Sequence, residues 1–188
     1  WHTTGVEIVG CAVQKAKERR VIDSIFHGSL REARYPDNSF DAVTLWDVLF
    51  MIDEPFEDLM QCYRILKNGG IIGIRLRNVL FQKMLYRCFS PFKNLASRIG
   101  LKQPYVFHSY CFSPDSIYML LSRIGFTNIQ ITISPQTEGD PYGITKIRGL
   151  IKILKRISDT VSKLIFMLSS KKILIGPSLL IWAEKPKI

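Results

Sequence analysis

The sequence predicts an α/β domain built on a largely parallel sheet. Strand-like and helix-like segments alternate along the 188 residues, two apolar runs have the character of strands buried on both faces, and turn residues separate the segments. A hydrophobic share of 47% beside 22% charged residues argues against general disorder. We therefore expect one folded domain over residues 1–188, long enough to bury a core.

The first half of the chain alternates strand, helix, strand and strand. Turn residues at 35–39 lead into the most apolar of these segments. The predicted elements are a strand over 3–8, a helix over 12–19, a strand over 21–27 with Gly28-Ser29 as its turn, and a buried strand over 40–49.

A helix and a second buried strand follow. Asp53-Glu54-Pro55 opens the helix, with proline in its first turn and acidic residues at the positive end of the helix dipole. Leu59, Tyr63 and Leu66 recur at helical spacing, and Gly69-Gly70 is expected to end the helix. The aliphatic run 71–76 then predicts a strand covered on both faces.

The second half is less regular. Residues 79–98 are aromatic and basic, and we interpret 79–112 as a partly helical insertion over the site. Ser113-Pro114 predicts a helix start, and that helix should end near Gly125. The remaining predicted elements are a strand over 126–133, a basic amphipathic helix over 144–172 and a last strand over 174–183, bent at Gly176-Pro177.

The net charge of +10 is concentrated in segment 144–172, which contributes +7 because eight lysines and arginines face Asp159 alone. Three interpretations fit a basic helix with an apolar stripe: it caps its own domain, it docks on a membrane surface or lipid substrate, or it packs against a partner helix. Nucleic acid is not expected as a partner, because no aromatic and basic stacking platform occurs outside 79–98.

Cysteine and histidine usage points away from a metal centre. The four cysteines are far apart and form no Cys-x-x-Cys pair, so neither a metal site nor a disulfide framework is expected. This usage fits a reducing, cytoplasmic compartment, with peripheral membrane contact as an option. The chain begins with Trp1 instead of methionine, and we expect it to be a fragment of a longer protein.

Three segments carry a family resemblance. They are Gly5-Val6-Glu7-Ile8 at the end of the first strand, Trp46-Asp47 after the buried strand, and Lys67-Asn68-Gly69-Gly70 before the next strand. Their order and spacing resemble the middle of a class I S-adenosylmethionine (SAM)-dependent methyltransferase of the type 11 or type 23 kind. The resemblance implies a Rossmann-like sheet of seven strands, truncated at the N-terminus, since the family's first strand and glycine loop have no counterpart here.

The resemblance also implies which residues bind the cofactor SAM. Glu7 would accept hydrogen bonds from the ribose hydroxyls. Ser29 and Leu30 would meet the adenine edge, where the family usually has an aspartate. Trp46 and Asp47 would form the pocket floor.

The acceptor side is less defined. His108 and Tyr110 follow the fifth family strand, where either side chain could accept a substrate proton, although a lone histidine is more often structural. The methyl acceptor would be a small molecule, apolar or lipid-linked. Two alternatives stay open: a non-catalytic module that keeps the scaffold, and a nicotinamide-dependent enzyme whose ribose Glu7 would hold. Without the glycine loop, we expect these residues alone to bind SAM very weakly.

Overall fold

The structure is a computed structural model that describes residues 1–20, 22–98, 105–134, 148–170 and 173–187. It confirms the alternation of strands and helices and the α/β class. In chain order the elements are β1 (Thr4–Glu7), α1 (Gly10–Arg19), β2 (Ser24–His27), β3 (Phe40–Trp46), α2 (Pro55–Ile65), β4 (Leu66–Arg77), α3 (Val79–Phe89), α4 (Lys93–Arg98), α5 (Pro114–Ile124), β5 (Thr127–Ser134), α6 (Arg148–Leu168) and β6 (Ser178–Glu184).

The six strands form two sheets. β1 and β2 make a parallel pair, and the other four strands are ordered β3-β4-β6-β5. Within the second sheet β3 and β4 are parallel, but β6 runs antiparallel to both of its neighbours. β5 therefore runs in the same direction as β3 and β4, and β6 alone is reversed among the described strands of this sheet. The sheet is mixed, and the prediction of a largely parallel sheet is confirmed for three of its four described strands. A sheet of seven strands stays a prediction.

The core lies on one face of the four-stranded sheet, under α2 and α5. Alternate residues of β4 and β6 point into it, and the two helices bring their apolar faces to meet them. Its fully buried side chains include Leu59, Ile72, Ile74, Leu121 and Ile181. The opposite face is less covered, because Trp46, Ile71 and Trp182 remain partly exposed there.

Two predicted boundaries are corrected. Helix α2 ends at Ile65, ahead of the glycines. Residues 67–70 form a bulge near the start of β4, where its register with β3 shifts. Gly69 has a φ of 80°, which favours glycine, and a Cβ on Gly70 would come within 2.8 Å of the Lys67 carbonyl oxygen. The last strand begins at Ser178 and not at residue 174, since Pro177 has no N–H to donate to the ladder.

The β1–β2 pair is tied to the larger sheet through Arg31. Its guanidinium donates to Asp58 Oδ1 at 2.7 Å and also to Glu54, at the start of α2. Leu30, beside it in the chain, packs against the main core. This ion-pair cluster and the packing of Leu30 thus both help to link the two sheets.

The segment interpreted as an insertion is helical in its described part. Helix α3 starts at Asn78, which is fully buried and accepts a hydrogen bond from Leu80 N at 3.0 Å. The side-chain amide of Asn78 also donates to the Leu174 carbonyl at 2.7 Å, which joins the end of β4 to the segment just before β6. Whether 79–112 covers the site stays a prediction.

Helix α5 has the predicted ends. Ser113 and Ser116 form a reciprocal capping box at its start, and Gly125 closes it with a φ of 111°. Helix α6 lies within the predicted basic segment, which also includes residues outside the described ranges. Among the described residues, no helix is both long and apolar enough to cross a membrane.

Candidate functional site

Glu7 lies at the carboxyl end of β1, as predicted. Its Oε1 accepts a hydrogen bond from Val9 N at 2.8 Å, which holds the carboxylate at the turn into α1. No described residue donates to its second oxygen, Oε2. The side chain is half-buried, so one carboxylate oxygen is oriented by the protein and the other can receive a ligand hydroxyl.

Ser29 and Leu30 follow the carboxyl end of β2, next to Glu7. Gly28 N donates to the Glu7 carbonyl at 3.0 Å, so this turn adjoins the end of β1. The Ser29 hydroxyl and amide both donate to Glu32, whose pKa these hydrogen bonds lower. Because the Ser29 amide is engaged within its own turn, any contact with a nucleobase would first compete with Glu32.

Asp47 and Trp46 end β3. Asp47 forms an ion pair with Arg75 at 3.2 Å, and its amide donates to the Arg75 carbonyl at 2.9 Å. Its φ of 55° is left-handed, a conformation that aspartate tolerates better than most side chains. Trp46 is about half exposed and meets Trp182 edge-on, with ring centroids 6.3 Å apart. Both predicted residues are accessible at the end of the strand.

His108 and Tyr110 lie beyond the carboxyl end of β4, at a small cavity of about 10 Å³, the room for one water molecule. The cavity is lined by Phe50, Arg77, Val79, Gln82, Val106, His108, Tyr110 and Cys111. It admits a single small polar group, and a whole acceptor molecule could reach it only from its mouth.

The imidazole of His108 is the most distinctive group of this cavity. It stacks on Phe50 with ring centroids 4.4 Å apart. Its Nε2 is buried and has no hydrogen-bond partner among the described residues. Burial, assisted by the charge of Arg77, lowers the pKa of His108 below its ordinary 6.5, so the neutral ring predominates at neutral pH. A neutral imidazole with a free nitrogen can accept a proton.

Tyr110 is held differently. Its hydroxyl donates to the Asp53 carbonyl at 2.7 Å, at the turn before α2, and about two fifths of the side chain is exposed. Because that hydroxyl is already engaged as a donor, Tyr110 is better suited to fix the segment 105–111 against α2 than to exchange a proton.

The predicted residues thus fall into two groups. Glu7 and Ser29 belong to the β1–β2 end, whereas His108 and Tyr110 share the cavity beyond β4. Trp46 and Asp47 lie at the end of β3 and do not line that cavity. Sequence reasoning missed Phe50, Arg75 and Arg77. The two arginines alternate with aliphatic residues near the end of β4, and charged residues at the end of a buried strand were the available signal. No group of residues that could hold a metal ion occurs in the described ranges.

Part of this chain is similar in sequence to known proteins. Residues 1–74 match the family model described as a methyltransferase domain. The similarity to this domain family thus covers the first 74 of the 188 residues. A 74-residue alignment with the demethylmenaquinone methyltransferase of Listeria welshimeri is 34% identical and covers 37% of this chain and 31% of that protein. The chain thus spans about a third of the length of the curated relatives it matches.

Solved methyltransferase structures share the fold over almost the whole chain. A possible histamine N-methyltransferase of Thermotoga maritima superposes with a TM-score of 0.59 at 17% identity, covering 97% of this chain and 72% of that one. A phosphoethanolamine N-methyltransferase of Haemonchus contortus, solved with S-adenosylhomocysteine, gives 0.54 at 17% identity over 97% of this chain and 43% of that one. At these identities the likeness concerns the fold alone.

Proposed function

We propose that this chain carries the ribose-binding and acceptor-facing parts of an enzyme that transfers a methyl group from SAM to a small, lipid-linked acceptor. The observation that carries the proposal is the Glu7 carboxylate, which ends β1 inside the matched segment and whose Oε2 has no donor within the described ranges. Oriented acceptor oxygens of this kind suit the two adjacent hydroxyls of a ribose. The residues present therefore fit the nucleoside.

Bound SAM would supply a sulfonium methyl group, which leaves sulfur as a new bond forms to the acceptor. The protein has little covalent chemistry to perform and mainly positions two reactants away from water. Glu7 would fix the sugar, and Trp46 and Asp47 would border the nucleoside at the end of β3. His108 Nε2 would take the proton that the acceptor loses, because the ring is neutral and that nitrogen is free.

A quinol or phenol precursor is the acceptor class that best fits this site. The Listeria relative is named for demethylmenaquinone, a lipid-soluble ring compound. In this chain, the aromatic residues Tyr86, Tyr105 and Phe107 cluster next to the cavity-lining residues Val106 and His108, with centroid distances from 5.2 to 6.1 Å. Tyr86 meets the other two rings edge-to-face. An apolar ring can pack on such a cluster while a single hydroxyl enters the small cavity at His108.

A second candidate is a scaffold that binds without turnover. It is favoured by the gap in the sheet: among the described residues, β1 pairs only with β2 and β3 only with β4. The two candidates differ in one measurable respect, which is whether radiolabelled methyl groups leave SAM when a demethylated quinol is present.

The binding test is an NMR titration of the 188-residue chain with S-adenosylhomocysteine up to millimolar concentration. We expect weak, saturable amide shifts at 7–9, 28–30 and 46–48. Glu7→Gln should weaken binding at least tenfold, since it removes a charge-assisted hydrogen bond worth about 1.5–3 kcal/mol.

The matched control is Glu18→Gln, which makes the same charge change on the exposed side of α1 and should leave the titration unchanged. Shifts elsewhere, or tighter binding of NAD than of the SAM product, would refute the assignment of the site.

A further inference from the structure

Helix α6 packs against the domain with its polar side. Ser162 is the most buried described residue of the helix, and Ser158, Asp159 and Phe166 are partly buried beside it. Ser158, Ser162 and Phe166 are spaced four apart and so share one face. The inward face of the described part of α6 is therefore mostly small and polar.

The apolar stripe of α6 faces solvent. Its members recur at spacings of three and four residues, as on one side of a helix. They are Ile153, Ile157, Val161, Leu164 and Leu168, each at least 47% exposed, with Leu168 at 85%. For these five described residues, the interpretation that the stripe caps the helix's own domain is therefore wrong. A continuous apolar stripe of this kind marks an interaction surface, whereas single exposed apolar residues do not.

The charge beside the stripe indicates what covers it. Arg156 and Lys163 are exposed on one flank of the apolar residues. Asp159 is the only acidic residue of the segment, and its Oδ1 is buried on the opposite side. The outward surface of α6 therefore combines apolar side chains with positive charge. A second copy of the same surface would bring like charges together, whereas an anionic surface would complement it.

We propose that α6 docks this protein on the surface of an anionic lipid bilayer. The helix lies in the plane of the interface, with the Ile157–Val161–Leu164 stripe among the acyl chains and Arg156 and Lys163 at the headgroups. The exposed apolar residues span 153–168, which gives an apolar contact about 24 Å long. The proposal stands on the geometry and charge of α6 and does not depend on the proposed methyl transfer.

The test is co-sedimentation of the full chain with vesicles of phosphatidylcholine containing 30% phosphatidylglycerol, compared with pure phosphatidylcholine. We expect binding to the anionic vesicles, at least tenfold weaker binding to the zwitterionic ones, and loss of binding as salt is raised. Val161→Glu with Leu164→Glu should reduce binding at least tenfold. Arg156→Gln with Lys163→Gln should reduce it about thirtyfold, at about 1 kcal/mol for each cation.

The matched control changes two exposed apolar residues of α5, Tyr118→Glu with Met119→Glu, and adds the same negative charge away from α6. It should bind within twofold of the unmodified chain. All variants change exposed residues, and circular dichroism verifies that each is folded.

Three results would overturn the proposal. The first is failure to bind anionic vesicles, and the second is an equal loss in the α5 control. The third is a dimer at micromolar concentration, seen by sedimentation velocity, that Val161→Glu with Leu164→Glu converts to monomer, because it would assign the stripe to a second copy of the chain.

Discussion

Replacing Lys185 with methionine tests whether a buried ammonium stabilises the corner where α2 meets β4. Lys185 is 7% exposed. Its Nζ donates to the Leu66 carbonyl at 2.7 Å and to Asn38 Oδ1 at 2.9 Å, and it lies 4.9 Å from the centre of the Tyr63 ring. Methionine keeps most of the length of the side chain but donates no hydrogen bond.

The expected loss follows from the two acceptors. Asn38 is exposed and can turn to water, so its bond contributes little to the difference. The Leu66 residue is fully buried, and its carbonyl would lose a charged donor worth about 1.5–3 kcal/mol. Relief of the dehydrated ammonium offsets part of this loss. We expect a net decrease of about 2 kcal/mol in the free energy of unfolding, or about 4–8 °C in Tm for a domain of this size.

Urea denaturation followed by circular dichroism measures the difference, with Lys83→Met on the exposed side of α3 as the control. The control should lie within about 0.5 kcal/mol of the unmodified chain. An unchanged or higher urea midpoint for Lys185→Met would contradict this reasoning. It would show that dehydration of the ammonium destabilises the fold at least as much as its hydrogen bonds stabilise it.

Three further predictions concern His108, Cys62 and Gly73. The native pKa of His108 lies below 6.5, so the unfolded chain binds more protons than the native chain just below that pH. The free energy of unfolding should therefore decrease as the pH is lowered from 7.5 to 5.5, and it should decrease less in His108→Gln. Urea midpoints at the two pH values measure the difference. Burial raises the pKa of the Cys62 thiol to about 12, so this thiol should not react with Ellman's reagent in the native chain. The reagent should titrate the other three cysteines, which are exposed, and it should titrate all four only in denaturant. Fast reaction of all four cysteines in the native chain would contradict the burial of Cys62. A Cβ on Gly73 would lie 2.5 Å from the Trp182 ring, so Gly73→Ala should lower the free energy of unfolding by about 1–3 kcal/mol. Adding Trp182→Leu to the same chain should recover most of this loss. Equal losses with and without Trp182 would exclude the clash.

Local chemistry made much of this fold predictable from the sequence. The Ser113-Pro114 start and Gly125 end of α5 follow from capping preferences that act within a few residues. The buried strand β4 follows from its aliphatic composition. The antiparallel direction of β6 does not, because β6 pairs with strands that lie far from it in the sequence.

The site was predictable only where it rests on strand ends. Glu7 and Asp47 were predicted as site residues because they lie at the carboxyl ends of predicted strands, and the structure places Glu7 at the end of β1 and Asp47 directly after β3. The stacking of His108 on Phe50 joins residues far apart in the chain, so no local sequence pattern predicts it. Sequence spacing also could not predict which way the α6 stripe faces. The spacing of apolar residues shows that they share one side of the helix, but it does not show whether that side meets the domain.

The edge-on contact between Trp46 and Trp182 has a practical consequence. Trp1 is fully solvated, so any change in the protein's ultraviolet emission on adding a compound must come mainly from the other two indoles. Trp46 immediately precedes Asp47, at the rim where the nucleoside is proposed to bind. Unlabelled protein in a cuvette can therefore report occupancy directly, which makes screening of candidate compounds feasible before any methyl acceptor has been identified.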